Sequence, residues 1–303
     1  MHKLQPQTER LIEQTNRFRE PQLGICADPA ATRRPEDAIH AEVLRKGGFS
    51  FSGSIVEVGL LDRNGDTVRS IINDLVAGKN PGVWLPTDRK IFCYAQDRPM
   101  PSLTVRGTFR PDIGLSDLDL VRTRVHPRHY AIEESAIHSE PMFRPIAAFT
   151  HAFKKHDLTQ KCRNPKKAKL EPHVAVAAFS NAVNLSVAQL TREAKLPQLL
   201  HAYPETITLE DGTELTDVVV TPEPRGHSLF QGREYAAATS PARTTRDWFN
   251  QVALSHFMDT GESVFDYQEA HLISGWFNHR KRKRLERIVA QTKSTTQGPK
   301  QVA

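Results

Sequence analysis

From Ile39 to Asp66 the chain reads "IHAEVLRKGGFSFSGSIVEVGLLDRNGD". Apolar and polar residues alternate on both sides of Gly47-Gly48, and the stretch closes on Asn64-Gly65. A period of two belongs to a strand with two different faces, so the segment is a hairpin followed by a turn. The same signals recur twice. "PSLTVRGTFRPDIGLSDLDLVRTRVHP" is a strand pair around the Pro111–Gly114 turn, and "ETITLEDGTELTDVVVTPEP" is a hairpin with Asp211-Gly212 at its tip. "GVWLP" reads as a further short strand.

The remaining patterns are helical. "MHKLQPQTERLIEQTNRFRE" is a short amphipathic helix around Leu11, Ile12 and Phe18, and residues 68–77 form another. A third stretch runs from Tyr130 to about Lys155, interrupted near Pro141 and Pro145. "HVAVAAFSNAVNLSVAQLTREAKL" is a long, largely buried helix, and a last stretch begins near Thr245 with a break near Gly261. Strands come first and helices mostly later, which argues for one mixed α+β domain. It spans residues 23–290, between an N-terminal helical extension (1–22) and a disordered polar tail (291–303).

Composition narrows the partner. Hydrophobic residues make up 38% of the 303, and no apolar run reaches the ~20 residues needed to cross a bilayer. No membrane role is expected. Cys26, Cys93 and Cys162 are odd in number and lack CxxC spacing, so neither disulfides nor zinc are indicated. A reducing cytoplasm is the expected compartment. Net charge is +6, with much of the excess in "FKKHDLTQKCRNPKKAK" and "NHRKRKRLER". A basic run at a helix end also relieves the macrodipole, but two such runs favour a polyanion such as nucleic acid.

Just before the first long strand, "ADPAATRRPEDAIHAEV" carries Asp28, Glu36 and Asp37. Carboxylates converging in a loop are what a hard cation such as Mg²⁺ requires. The same residues also suit a turn at Asp28-Pro29 and a decorated strand start at Glu36-Asp37. On this loop alone the structural reading is the stronger one.

Several segments together resemble the catalytic (RNB) domain of the ribonuclease II family. That family carries Asp, five residues, Asp, one residue, then two adjacent Asp followed by Ala and an aliphatic residue. Here Asp28 fits the first position, Glu36 the third and Asp37 the last, while Arg34 stands where the second Asp is expected. "GSIVEVG", "GVWLP", "DRPMPSLTVRGTF", "FSNAVNLSVAQL" and "LPQLLHAY" are similar to successive family segments. "REYAAATSPARTTRDWFN" resembles the signature Tyr-Ala-x-x-Thr-Ser-Pro-x-Arg-Arg-Tyr-x-Asp-Leu. Tyr235, Thr239, Ser240, Pro241, Arg243 and Asp247 match, and Thr244 and Thr245 depart. The resemblance spans roughly residues 24–290 in family order. It leaves no room for the family's flanking OB-type RNA-binding domains, which a protein partner would then supply.

The resemblance implies an antiparallel-rich sheet with long helices around an RNA-binding channel. It implies Mg²⁺- or Mn²⁺-dependent hydrolysis of single-stranded RNA from the 3′ end, releasing nucleoside 5′-monophosphates. Asp28, Glu36 and Asp37 would hold metal, with Asp37 and Arg243 catalytic. An arginine suits developing phosphoryl charge because its fork grips two oxygens. Trp84 and Tyr130 are the candidate stacking rings, His227 matches the family's histidine before the signature, and Lys166 and Lys167, with Lys154 and Lys155, would guide the backbone. In purely structural terms Ser240 would cap the helix, with Pro241 in its first turn.

Two features oppose hydrolysis. Arg34 brings positive charge to the metal position, and "HVAVAAF" lacks the carboxylate that the family places at the start of its long helix, Glu171 being out of register. The alternative is therefore an RNB-like domain that binds single-stranded RNA or a protein partner without cleaving.

Overall fold

The computed structural model describes residues 6–28, 35–81, 92–94, 98–131, 139–157 and 172–296. Helix α1 (Pro6–Arg17) leads into short strands β1 (Glu20–Gln22) and β2 (Ile25–Asp28). Strands β3 (Asp37–Val43) and β4 (Phe49–Val56) form the hairpin expected around Gly47-Gly48. Both glycines have positive φ, which a residue with a Cβ rarely adopts. Helix α2 (Asp66–Val76) follows, then the long pair β5 (Met100–Arg110) and β6 (Gly114–Val125), and β7 (Arg128–Ala131).

These strands make one seven-stranded sheet in the order β1-β6-β5-β4-β3-β2-β7. The interior pairings are antiparallel, while β1 joins β6 and β2 joins β7 in parallel. Tyr130 therefore lies in a strand, paired in register with Ala27, and not in the expected helix. The helix there, α3, runs only from Phe143 to Asp157.

Alternation along the strands feeds two cores. Ile25, Ala27, Ile39 and Ala41 face one, while Cys26, Ala38 and Val56 face the other. In the first, α3 and the long helix α4 (Pro172–Glu193) cover the sheet. Phe149 sits there among Phe51, Phe109, Phe153 and Phe179, with ring centroids 4.4–5.6 Å apart. A stretch of α4, Val174–Glu193, is long and apolar enough to span a bilayer, but it lies mostly buried as a core helix. The second core packs α1, α2, α5 (Thr245–Thr260) and α6 (Tyr267–Thr296) around Trp248 and Phe249.

Between α4 and α5, strands β8 (Leu200–Thr208) and β9 (Glu214–Thr221) form a separate hairpin. The break at Gly261 is a left-handed helix end. Helix α6 continues to Thr296, so residues 291–296 are helical, not tail.

Candidate functional site

Antiparallel pairing of β2 with β3 brings the end of one and the start of the other to the same sheet edge. Asp28 closes β2, and Asp37 opens β3 opposite Ile55. The approach to β3 is pinned by its backbone: Tyr94 N–H donates to the Pro35 carbonyl (2.8 Å) and Val56 N–H to that of Glu36 (3.1 Å). The side chain of Asp28 and the whole of Arg34, Trp84, Lys166 and Lys167 lie outside the described residues.

Glu36 is fully buried. One carboxylate oxygen accepts the Ala242 N–H (2.9 Å), and the other lies 2.7 Å from Arg243 Nε. Burial raises its pKa to about 7, against the opposing pull of the Arg243 charge and the Ala242 N–H. Asp37 lies close enough for its charge to help raise the Tyr235 phenol, which burial above all pushes to about 12. Sheet edge and signature thus meet, with Glu36 and Arg243 in direct contact.

The signature folds back on itself. The Ser240 carbonyl accepts N–H groups from Arg243 (3.1 Å) and Thr244 (2.8 Å). Asp247, in the first turn of α5, reaches back to accept the Ser240 N–H (3.0 Å) and the Thr244 hydroxyl. Ser240 is consequently not the helix cap. Helix α5 starts at Thr245 after an extended Thr244, and Pro241 sits in the preceding turn. The Arg243 guanidinium is half exposed, anchored at Nε by Glu36 and at Nη2 by the Ser240 hydroxyl (3.1 Å).

Two asparagines that the sequence reading missed hold this segment. Asn184, inside apolar α4, donates to the Tyr235 hydroxyl (2.8 Å) and accepts the Ala238 N–H (2.9 Å). Asn250 in α5 accepts from Leu199 N–H (2.9 Å) and donates to the Ala237 carbonyl (2.8 Å). Both are polar residues on buried helix faces, and that was the available signal.

Beside the signature, a cleft of about 320 Å³ opens between Asn184, His201, His227, Tyr235, Thr244 and Arg246. His227 stacks on Tyr203 with centroids 5.3 Å apart. Tyr130 is placed differently: its ring packs against the first core and its hydroxyl donates to Glu140, which also pairs with Arg128 (3.0 Å). A larger groove of about 1630 Å³ runs between α6 and the β8–β9 hairpin, lined by Lys281, Lys283, Arg284 and Arg287. The "NHRKRKRLER" run therefore faces a concavity. Lys281 is held by Asp217 (2.7 Å) and Lys283 by Glu210, while Arg280 covers the Trp276 ring at 5.1 Å.

An Mg²⁺ centre of the kind the resemblance implies needs several carboxylate oxygens turned to one point. Among the described residues no group of three His, Cys, Asp or Glu is so arranged. Glu36 has one oxygen on a backbone N–H and the other against a guanidinium. The described start of α4, from Val174 to Ser180, contains no carboxylate. The Asp28 side chain and position 34 lie outside the described residues, so the described ones hold only part of the implied ligand set.

Comparison with solved structures identifies the fold. The chain superposes on Mycoplasma genitalium RNase R in complex with ribose-methylated single-stranded RNA with a TM-score of 0.65 at 11% identity, covering 97% of this chain and 62% of that one. An active-site mutant of the Dss1 exoribonuclease from Candida glabrata gives 0.62 at 15% identity, over 87% of this chain and 44% of that one. Yeast Ssd1, a pseudonuclease, gives 0.62 at 13% identity, over 88% and 43%. The chain has the RNB fold and is less than two thirds the length of these three matches. No protein-family model and no curated protein sequence matches it.

Proposed function

We propose that this chain binds single-stranded RNA in an RNB-type channel and does not hydrolyse it. The observation that carries this reading is the Glu36–Arg243 ion pair. It ties up together a carboxylate expected to hold metal and the arginine expected to face the phosphate. Arg34 at another metal position and the carboxylate-free start of α4 act in the same direction. The basic groove along α6 supplies the sequence-independent attraction that single strands need.

A second reading is Mg²⁺- or Mn²⁺-dependent 3′-to-5′ hydrolysis releasing nucleoside 5′-monophosphates. It is favoured by the sheet register, which brings Asp28 and Asp37 to one edge. The test is incubation of 5′-labelled single-stranded RNA with the protein in Mg²⁺, Mn²⁺ or EDTA, beside Asp37→Asn. Intact RNA that shifts on a native gel, with binding weakened by salt, is the expected result. A metal-dependent ladder shortening from the 3′ end, lost in Asp37→Asn, would replace binding with hydrolysis.

A further inference from the structure

The cations of the α6 groove are only partly neutralised within the molecule. Lys281 pairs with Asp217, and Lys283 with Glu210 and Glu286. Arg280, Arg284 and Arg287 also line the groove and are exposed, and among the described residues no carboxylate pairs with them. Arg280 sits over the Trp276 ring, whose Nε1 is held by Asn80 (3.1 Å). Such a cation–π contact uses no acceptor and leaves the guanidinium donors free. Arg287 Nε donates to the Lys283 carbonyl (3.2 Å), which leaves its terminal nitrogens for a ligand. Positions 280, 284 and 287 fall on one helix face over about 10 Å.

The floor of the groove excludes one class of occupant. Asp217 accepts the Val218 N–H (2.7 Å), and Lys281 donates to the Val218 carbonyl. Asn278 accepts the Val220 N–H (2.9 Å) and donates to the Val220 carbonyl (2.7 Å). All four backbone groups of the two β9 residues in the lining are thus occupied, and an extended peptide finds no open strand edge there. The volume, about 1630 Å³, exceeds the about 300–1,000 Å³ of small-molecule sites. Phe277 is the one Phe, Tyr or Trp among the described lining residues, and it packs against the second core, so bases have no free ring to stack on. What remains is a row of guanidiniums suited to a polyanionic backbone, each able to fork onto phosphate oxygens. Glu36, Asp37 and Arg243 do not line the groove, which shares only His201 and Arg246 with the cleft beside the signature.

We propose that the groove between α6 and β9 is a second RNA site, outside the channel, that grips internal phosphates of a strand laid across Arg280, Arg284 and Arg287. This rests on the RNA-binding reading above and adds to it that no strand end is needed. The three arginines are exposed along the groove, so a strand is laid on them without being threaded.

The test compares internally labelled oligouridine, linear and covalently closed, by fluorescence anisotropy in EDTA between about 50 and 200 mM salt. The proteins are wild type, Arg284→Gln with Arg287→Gln, and Arg45→Gln with Lys46→Gln. The last pair removes equal charge at the exposed β3–β4 turn, and melting temperatures are recorded for all three. Wild type should bind the circle. The Arg284/Arg287 variant should bind it more weakly, with a salt slope smaller by about 1.4, at about 0.7 per phosphate contact on a single strand. The Arg45/Lys46 variant should match wild type. A linear strand bound and a circle refused would overturn the groove and leave the channel reading standing. Equal losses in the two double variants would do the same, by marking an effect of net charge. RNA refused in both forms would remove both readings, and polyglutamate bound by wild type but not by the Arg284/Arg287 variant would then assign the groove to an acidic protein segment. Should that variant not fold, the comparison of circle with strand on wild type decides alone.

Discussion

Arg243 Nε lies 2.7 Å from a carboxylate oxygen of Glu36, joining the start of β3 to the turn that precedes α5. The pair is asymmetric: Glu36 is wholly enclosed and Arg243 half open to water. An enclosed carboxylate with one partly solvated cation keeps a net preference for its proton, so its pKa stands near 7.

That preference gives a signed pH dependence. The unfolded carboxyl ionises from about pH 4.5, while the folded one holds its proton to about 7. Across that window the native state binds more protons, so this group's contribution to stability falls as pH rises. The loss is on the order of 3 kcal/mol for a shift of this size. Glu36→Gln should remove it. Chemical denaturation of both proteins at pH 5, 6 and 8 should show curves that diverge with pH, and parallel curves would refute the assignment.

Asp247 organises the signature by accepting from Ser240 and Thr244 at once. Asp247→Ala should therefore cost about 0.5–2 kcal/mol, as the loss of a helix-end acceptor does. Hydrogen exchange should report the loss locally, with the Ser240 amide exchanging faster in the variant. Unchanged protection at Ser240 would mean that the turn is held by other contacts.

The hairpins were readable because each signal is local: Gly47-Gly48, Pro111–Gly114 and Asp211-Gly212 mark turns between alternating runs. The break in the last helical stretch was readable for the same reason, Gly261 being a left-handed end. Tyr130 was misplaced because its strand exists only through parallel pairing with β2, more than a hundred residues earlier, and four residues carry no period of their own. The end of α6 was missed because "QTKSTT" has no apolar stripe and extends a helix already nucleated upstream. At the site, Glu36 and Arg243 come from two separate motifs and are in direct contact. What they do on meeting, pairing with each other, depends on burial, which spacing does not encode.

Glu57 offers a sharper contrast between buried and exposed charge. Its side chain is fully enclosed and contacts Arg19, Arg122 (3.1 Å) and the Ser255 hydroxyl (2.9 Å). Removing one member of such a group leaves the others charged without compensation, so Glu57→Leu should cost about 3–5 kcal/mol. Arg63 pairs with Asp259 at 2.5 Å but is about half exposed, and Arg63→Ala should cost under about 1 kcal/mol. Denaturant titration of the two variants should separate them, and similar losses would show that the Glu57 network is no more than a surface pair.

Gly53 in β4 packs directly against Val183 of α4. A Cβ built there would stand 2.2 Å from Cγ2 of Val183, inside any permitted contact. The backbone angle is not the constraint, since Gly53 is absent from the positive-φ positions. The missing volume is. Gly53→Ala should therefore destabilise by about 1–3 kcal/mol through overpacking. Val183→Ala alone should also destabilise, by opening a cavity under the sheet. In the double variant the new methyl occupies the space the valine gave up, so the two losses should not add, with a coupling of about 0.5–3 kcal/mol in the favourable direction. Additive losses would mean that α4 moves away from β4 when Gly53 is replaced, and that the glycine does not set their separation.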